Sequence, residues 1–170
     1  TQGLLNADAT FAQNYEEARA AGLQVGAYFF SQAITDAEAQ AEADFAVETL
    51  DGRELDYPLV FDWGPPLPSE ELPAEDLRAY AMTGEEITGF AKAFSQRVEE
   101  LGYIPCVYTN KHMAYNTFNL TELNEYDLWY AEYQPVPSLY YHFRMWQYTA
   151  SGTVPGISGD VDINICFDPY

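Results

Sequence analysis

The 170-residue chain reads as an α/β protein built on a parallel sheet. Short apolar runs with aromatic weight alternate with amphipathic stretches, and some of those stretches stop at a glycine, as at Gly22 and Gly102. Helix, glycine stop and buried strand, repeated in that order, is the pattern of β/α units whose right-handed crossovers place the helices outside the sheet. With 48% hydrophobic residues, residues 1–170 suffice for one domain with a proper core and are too few for two of ordinary size.

The elements follow in order. Asp8 stands ahead of Phe11 to Ala21, where Phe11, Tyr15, Ala18 and Ala21 recur at helical spacing before Gly22. Gln24 to Phe30 is compact and aromatic, the composition of a buried strand. Thr35 begins an alanine-rich helix to about Leu50, with Glu38 at capping-box spacing, and Pro58 to Asp62 is the next strand. Thr83 and Glu86 repeat that spacing at the head of a long amphipathic helix through Leu101, which Gly102 stops, and Tyr103 to Tyr108 is strand. A shorter helix over Lys111 to Phe118 leads to the strand Leu128 to Ala131. After Pro137 the helical signal fades, and Phe143 to Tyr148 and Val161 to Phe167 close the set at six strands.

Six parallel strands fit either an open doubly wound sheet or most of a barrel. In the last strand Asp160, Asp162 and Asn164 fall on one face and Val161, Ile163 and Ile165 on the other. A barrel strand whose inner face reaches a site accommodates that polar row, and so does a solvated edge strand.

Charge and composition exclude several functions. The 27 acidic against 7 basic residues give a net charge of −20, a field that repels nucleic-acid phosphate and anionic membrane surfaces. No apolar run approaches the ~20 residues of a membrane helix, so membrane insertion is not expected. Cys106 and Cys166 lie far apart, and His112 and His142 are near neither in sequence. That scatter matches no metal-ligand spacing, so no metal or cofactor is expected, and both cysteines read as buried free thiols. Thr1-Gln-Gly-Leu-Leu-Asn shows no basic start and no apolar core of a signal peptide.

In parallel β/α folds the reacting groups gather at the carboxyl ends of the strands. Those ends supply Tyr28 and Phe30, Asp62 with Trp63, Tyr108, Trp129 with Tyr133, Trp146 with Tyr148, and Asp162 with Asn164. Aromatics around two carboxylates suit a sugar polymer, the rings stacking on pyranose faces while the acids handle the glycosidic oxygen. For any single aromatic here, core packing is the ordinary explanation; as a set at one end of a sheet they favour a carbohydrate cleft. Asp62 is the sharpest residue, because it ends the apolar strand Pro58-Leu-Val-Phe and an ionised carboxylate there needs a partner or a function. Its plain alternative is a helix-capping Asp above the long Pro- and acid-rich loop from Gly64 to Met82.

Six segments in order resemble the family 25 glycoside hydrolases, the muramidases or lysozymes of bacteria and phages. They are Asn14 to Phe30, Pro58-Leu-Val-Phe-Asp-Trp63, Gly102-Tyr-x-Pro-x-Val-Tyr-Thr109, Leu128-Trp-Tyr-Ala-Glu-Tyr133, Trp146-Gln-Tyr-Thr-x-Ser-Gly152 and Val161-Asp-Ile-Asn164. The resemblance implies an irregular TIM-like (β/α)5(β)3 barrel, incomplete here at its N-terminal end. It also implies cleavage of the β-1,4 bond between N-acetylmuramic acid and N-acetylglucosamine in peptidoglycan glycan strands. By the same resemblance Asp62 and Asp162 are the catalytic carboxylates, and Tyr28, Trp63, Tyr108, Trp129, Glu132, Tyr133 and Trp146 contact substrate. The resemblance implies a secreted or cell-wall-associated protein, or one encoded by a phage.

Two departures qualify that expectation. The family's strand motif is Asp-x-Glu, which puts two carboxyls on one strand face roughly 6 to 7 Å apart. This chain reads Asp62-Trp63-Gly64, so the Glu that protonates the leaving oxygen is absent, and general acid help is worth typically ~10²–10⁴-fold. Glu132, Glu70 and Glu71 are the nearest candidates to replace it. The family's first strand carries a further active-site Asp, whereas Thr1-Gln-Gly matches residues just after strand two, making the chain either a fragment or a shortened form. The expectation is therefore an impaired muramidase-type hydrolase, with a catalytically silent peptidoglycan-binding module as its alternative. A barrel lacking its first strands also has open edges that favour self-association.

Overall fold

The structure is a computed structural model that describes residues 3–65, 73 and 77–170. Its elements are α1 (Phe11–Ala20), β1 (Ala27–Ser31), α2 (Asp36–Leu50), β2 (Leu59–Trp63), a short 3-10 turn (Arg78–Ala81), α3 (Gly84–Glu100), β3 (Pro105–Asn110), α4 (Lys111–Asn116), β4 (Asp127–Ala131), β5 (Met145–Gly152) and β6 (Val161–Cys166). The six strands lie side by side in chain order and curl into half a barrel. The pairs β1/β2, β2/β3, β3/β4 and β4/β5 are parallel.

The last pair corrects the all-parallel expectation, because β6 runs antiparallel to β5. A parallel return needs a crossover of a dozen or more residues, and the link between Gly152 and Val161 is too short for one. It turns instead through Gly156 and Gly159, both at positive φ. β6 is therefore an edge strand with Asp162 and Asn164 exposed, as one of the two sequence alternatives holds, and that same polar face turns toward the inside of the curl.

The helix boundaries follow local chemistry. Thr83 closes a full capping box on α3: its hydroxyl accepts the Glu86 N–H at 3.3 Å and the Glu86 carboxylate accepts the Thr83 N–H at 2.8 Å. At α2 only half of the expected box forms. Thr35 accepts the Glu38 N–H at 3.2 Å, but the Glu38 carboxylate is drawn to the Ile34 N–H and to Arg78. Past α3, Gly102 takes a φ of +87°, which lets the Tyr103 N–H reach the Val98 carbonyl at 3.1 Å and end the helix.

The convex face of the sheet carries the core. Phe61 and Val107 are fully covered, and α2 and α3 bring Ala39, Ala43, Ala91, Phe94 and Val98 into one cluster with them, with the rings of Phe61 and Phe94 5.2 Å apart; Tyr130, also fully covered, packs on Phe143. Burying a side chain of that size contributes about 1.5–3 kcal/mol, and a one-residue slip of any strand would forfeit it along the whole strand.

One buried acid sits beneath this face. Glu42 of α2 is 5% exposed; it accepts the Ser31 hydroxyl at 2.5 Å and the Gln32 N–H at 3.2 Å, yet burial outweighs both bonds and pushes its carboxyl up to about 7. A folded-state value above the unfolded 4.5 means that the native state holds the extra proton between the two. That stabilisation is complete below about pH 4.5 and is lost as pH rises through about 7. Denaturant melts between pH 5 and 8 should therefore show Glu42→Gln losing about 2 kcal/mol less than the parent chain; equal losses would remove Glu42 from the account.

Candidate active site

Side-chain alternation sorts the strand residues into two sets. With Phe61, Val107 and Leu128 committed to the helices, their neighbours Val60 and Asp62 on β2, Cys106 and Tyr108 on β3, and Trp129 on β4 must line the concave face. Register adds Phe30 beside Asp62, Met145 beside Trp129, and Asn164 beside Gln147. At the amino-end half of this face Val60, Cys106 and Met145 form a small apolar floor. A hollow of 410 Å³ opens there among Tyr28, Tyr57, Val60, Trp129, Met145 and Asn164. The polar and acidic groups stand at the carboxyl-end half, above that hollow.

Gln147 organises them. Its side-chain oxygen accepts the hydroxyls of Tyr108 at 2.9 Å and Tyr133 at 2.8 Å, and the residue is buried. The Trp129 ring stands edge-on to Tyr108 with centroids 5.2 Å apart, and its indole N–H donates to Asn164 at 2.8 Å. Burial first, then the neighbouring Tyr133 and the charges of Asp62 and Asp162, push the Tyr108 hydroxyl well above its ordinary value, so Tyr108 is a neutral donor close to both acids. The expected residues Asp62, Tyr108, Trp129, Tyr133 and Asp162 thus meet on one surface, with Tyr28, 65% exposed, at its open edge on β1.

Asp62 itself makes no hydrogen bond among the described residues, and burial raises its carboxyl to about 6. Next to it, Gly64 leaves room for a side chain: a Cβ built there lies 3.5 Å from the Phe30 ring, an ordinary contact. An acid two residues beyond Asp62 is compatible with the backbone as it stands.

Three expected site residues lie elsewhere. Trp63 is 6% exposed on the helix-packed face, its indole N–H donating to the Ala33 carbonyl at 3.0 Å, because alternation turns it away from Asp62. Trp146 is buried on the same convex side and donates to the Glu132 carbonyl at 2.9 Å. Glu132 is saturated: Ser138 gives its N–H at 2.6 Å and its hydroxyl at 2.8 Å, Tyr130 its hydroxyl at 2.9 Å, and Lys111 its ammonium at 3.2 Å. Desolvation pulls that carboxyl upward, but the four donors outweigh it and hold it down at about 2. Held that low, it is ionised across the mildly acidic to neutral range and acts as a clamp rather than a proton donor. Glu70 and Glu71 lie outside the described residues.

Gln147 is the residue that sequence reading passed over; its signal was a lone polar side chain between Trp146 and Tyr148 in an apolar strand. Both cysteines are free, Cys106 buried and Cys166 half-buried on the concave side. Among the described residues no group of three or more His, Cys, Asp or Glu converges as a metal site, and no helix is long and apolar enough to cross a membrane.

Comparison with known proteins places this geometry. The model of the family described as glycosyl hydrolases family 25 matches residues 1–157. The autolytic lysozyme of Clostridium acetobutylicum is 29% identical over 165 residues, covering 96% of this chain and 46% of that protein. The uncharacterised protein YegX of Escherichia coli O6:H1 is 31% identical over 171 residues, covering 97% of this chain and 56% of its own length. Among solved structures, the CTP1L endolysin superimposes with a TM-score of 0.76 at 29% identity, over 95% of this chain and 54% of that one. The family 25 glycosyl hydrolase of Bacillus anthracis shares the fold at a TM-score of 0.71 and 21% identity, over 95% and 72%. The chain thus spans about half the length of the curated relatives it matches. With the six sequence segments, the curled sheet and the family match in agreement, the chain belongs to family 25 of the glycosyl hydrolases.

Proposed function

We propose that this chain is a muramidase-type peptidoglycan hydrolase that binds glycan strands across its concave face, acts at the cell wall, and turns over slowly because Gly64 stands where the family carries its proton donor. The observation that carries the reading is Asp62, a carboxyl raised to about 6, without a hydrogen-bond partner among the described residues, on one surface with Tyr108, Trp129 and Asp162. Two relatives at 29% identity, an autolytic lysozyme and an endolysin, support the substrate class.

In this reading Trp129 and Tyr108 provide ring faces and edges for the sugars, and Gln147 keeps the hydroxyls of Tyr108 and Tyr133 pointing in one direction. Asp162 remains available to steady positive charge that develops at the anomeric carbon, while Asp62 holds a proton below about pH 6. Glycosidic cleavage needs one carboxyl protonated toward the leaving oxygen. With Glu132 ionised and clamped, Asp62 is the described concave-face carboxyl best placed to retain that proton, so activity should be confined to mildly acidic conditions.

Gly64 also supports the second reading, a binding module with no turnover. Clearing of a cell-wall suspension, run beside co-sedimentation with the same walls, separates the two: walls bound but not cleared mean a module. Gly64→Glu should raise clearing by about 100-fold or more near pH 5–6 if the proton donor is what is missing. No gain over the parent chain would contradict that explanation of the impairment.

The edges of the sheet belong to the same proposal. Among the described residues β1 and β6 each pair on one side only, and Tyr28 and Phe30 of β1 are exposed. Association of copies through these edges should appear in size-exclusion chromatography as a species of twice the chain mass or more; a single monomer peak at all concentrations would contradict it.

A further inference from the structure

Acidic charge is unevenly spread along this chain. Residues 101–121 and 133–159 contain none of its 27 Asp and Glu residues. The fold joins these two stretches at the carboxyl-end rim of the sheet, where α4 leaves β3 and the segment after Ala131 leaves β4. The Tyr140 N–H donates to the Tyr115 hydroxyl at 2.9 Å, and Lys111 donates to the Ser138 hydroxyl at 2.8 Å. Glu132, the carboxylate at the root of this loop, is neutralised by Lys111 and tied to Ser138. The outcome is a fixed shelf on which Tyr140 is 94%, Val136 72% and Tyr115 47% exposed. It is continuous with the concave face through Tyr133, which starts the loop and reaches Gln147.

We infer that this shelf is a second contact surface for the peptidoglycan glycan strand, one that takes sugars beyond those held on the concave face and lets the carboxylates of the peptide stems pass where the protein's own charge repels them least. The inference rests on the glycan reading above and adds to it where the strand runs. Two features argue for it. A chain of net charge −20 repels an anionic polymer over most of its surface, so a rim whose root carboxylate, Glu132, is paired with Lys111 and whose two flanking stretches carry no other acid is an approach of reduced repulsion. Exposed tyrosines held by a hydrogen-bonded loop offer ring area with little ordering cost on binding.

The test compares binding of a muropeptide disaccharide and of a long, stem-bearing glycan strand to the full chain. Tyr140 is almost wholly exposed, so Tyr140→Ala leaves the core intact; it should weaken long-strand binding by about three- to tenfold and leave disaccharide binding unchanged. Tyr140→Glu should weaken long-strand binding further, and amidating the stem carboxylates should abolish that additional loss. Long strands bound equally by the parent chain and Tyr140→Ala would overturn the shelf while leaving the concave-face reading standing. Equal losses for the Ala and Glu variants would overturn the role of charge. A parent chain that binds neither ligand would overturn both the glycan reading and the shelf.

Discussion

Burial of alternate strand residues beneath α2 and α3 is the constraint from which the site follows. Phe61, Val107 and Leu128 have no other place to escape water, and their commitment to the convex face turns Asp62, Tyr108 and Trp129 together toward the concave one. Because strand side chains alternate strictly, no local adjustment reverses one member of that set without reversing its neighbours. The site is thus held by the hydrophobic core on the other side of the sheet, and its geometry is as stable as that core.

Three carboxyls show how the environment then assigns chemistry to identical groups. Glu132 is enclosed but receives four donors and stays ionised down to about 2. Glu42 receives two donors, and burial still wins, carrying it to about 7. Asp62 has no donor among the described residues, and burial carries it to about 6. The first is a clamp for a loop and the second a structural acid beneath the sheet, whereas the third faces open space beside rings. A half-buried acid without a partner is costly to the fold, and such groups cluster at functional sites.

Much of this was legible in the sequence because it rests on local rules. The capping residues Thr35 and Thr83, the stop at Gly102 and the six strands come from spacing and backbone preference, and Gly64 beside Asp62 is plain from the residues alone. Placement on the concave face was legible where one strand residue at a time was weighed, as at Asp62, Tyr108 and Trp129. It failed at Trp63 and Trp146, since each is adjacent to a concave-face residue and alternation sends it to the core. Glu132 was illegible for another reason: its donors Ser138, Tyr130 and Lys111 come from different elements, and only the folded loop assembles them. The antiparallel β6 was hidden because a strand's direction depends on the length of its connection, not on its own residues.

What the account asserts most directly is that the concave face keeps the Asp62 carboxyl desolvated and unpaired. A site-resolved NMR titration of its side-chain carbonyl carbon reads that state. The midpoint should fall near 6, well above the 3.8 of an ordinary Asp. A midpoint at or below 3.8 would mean that the carboxylate is solvated or paired, and the site as described here would not stand.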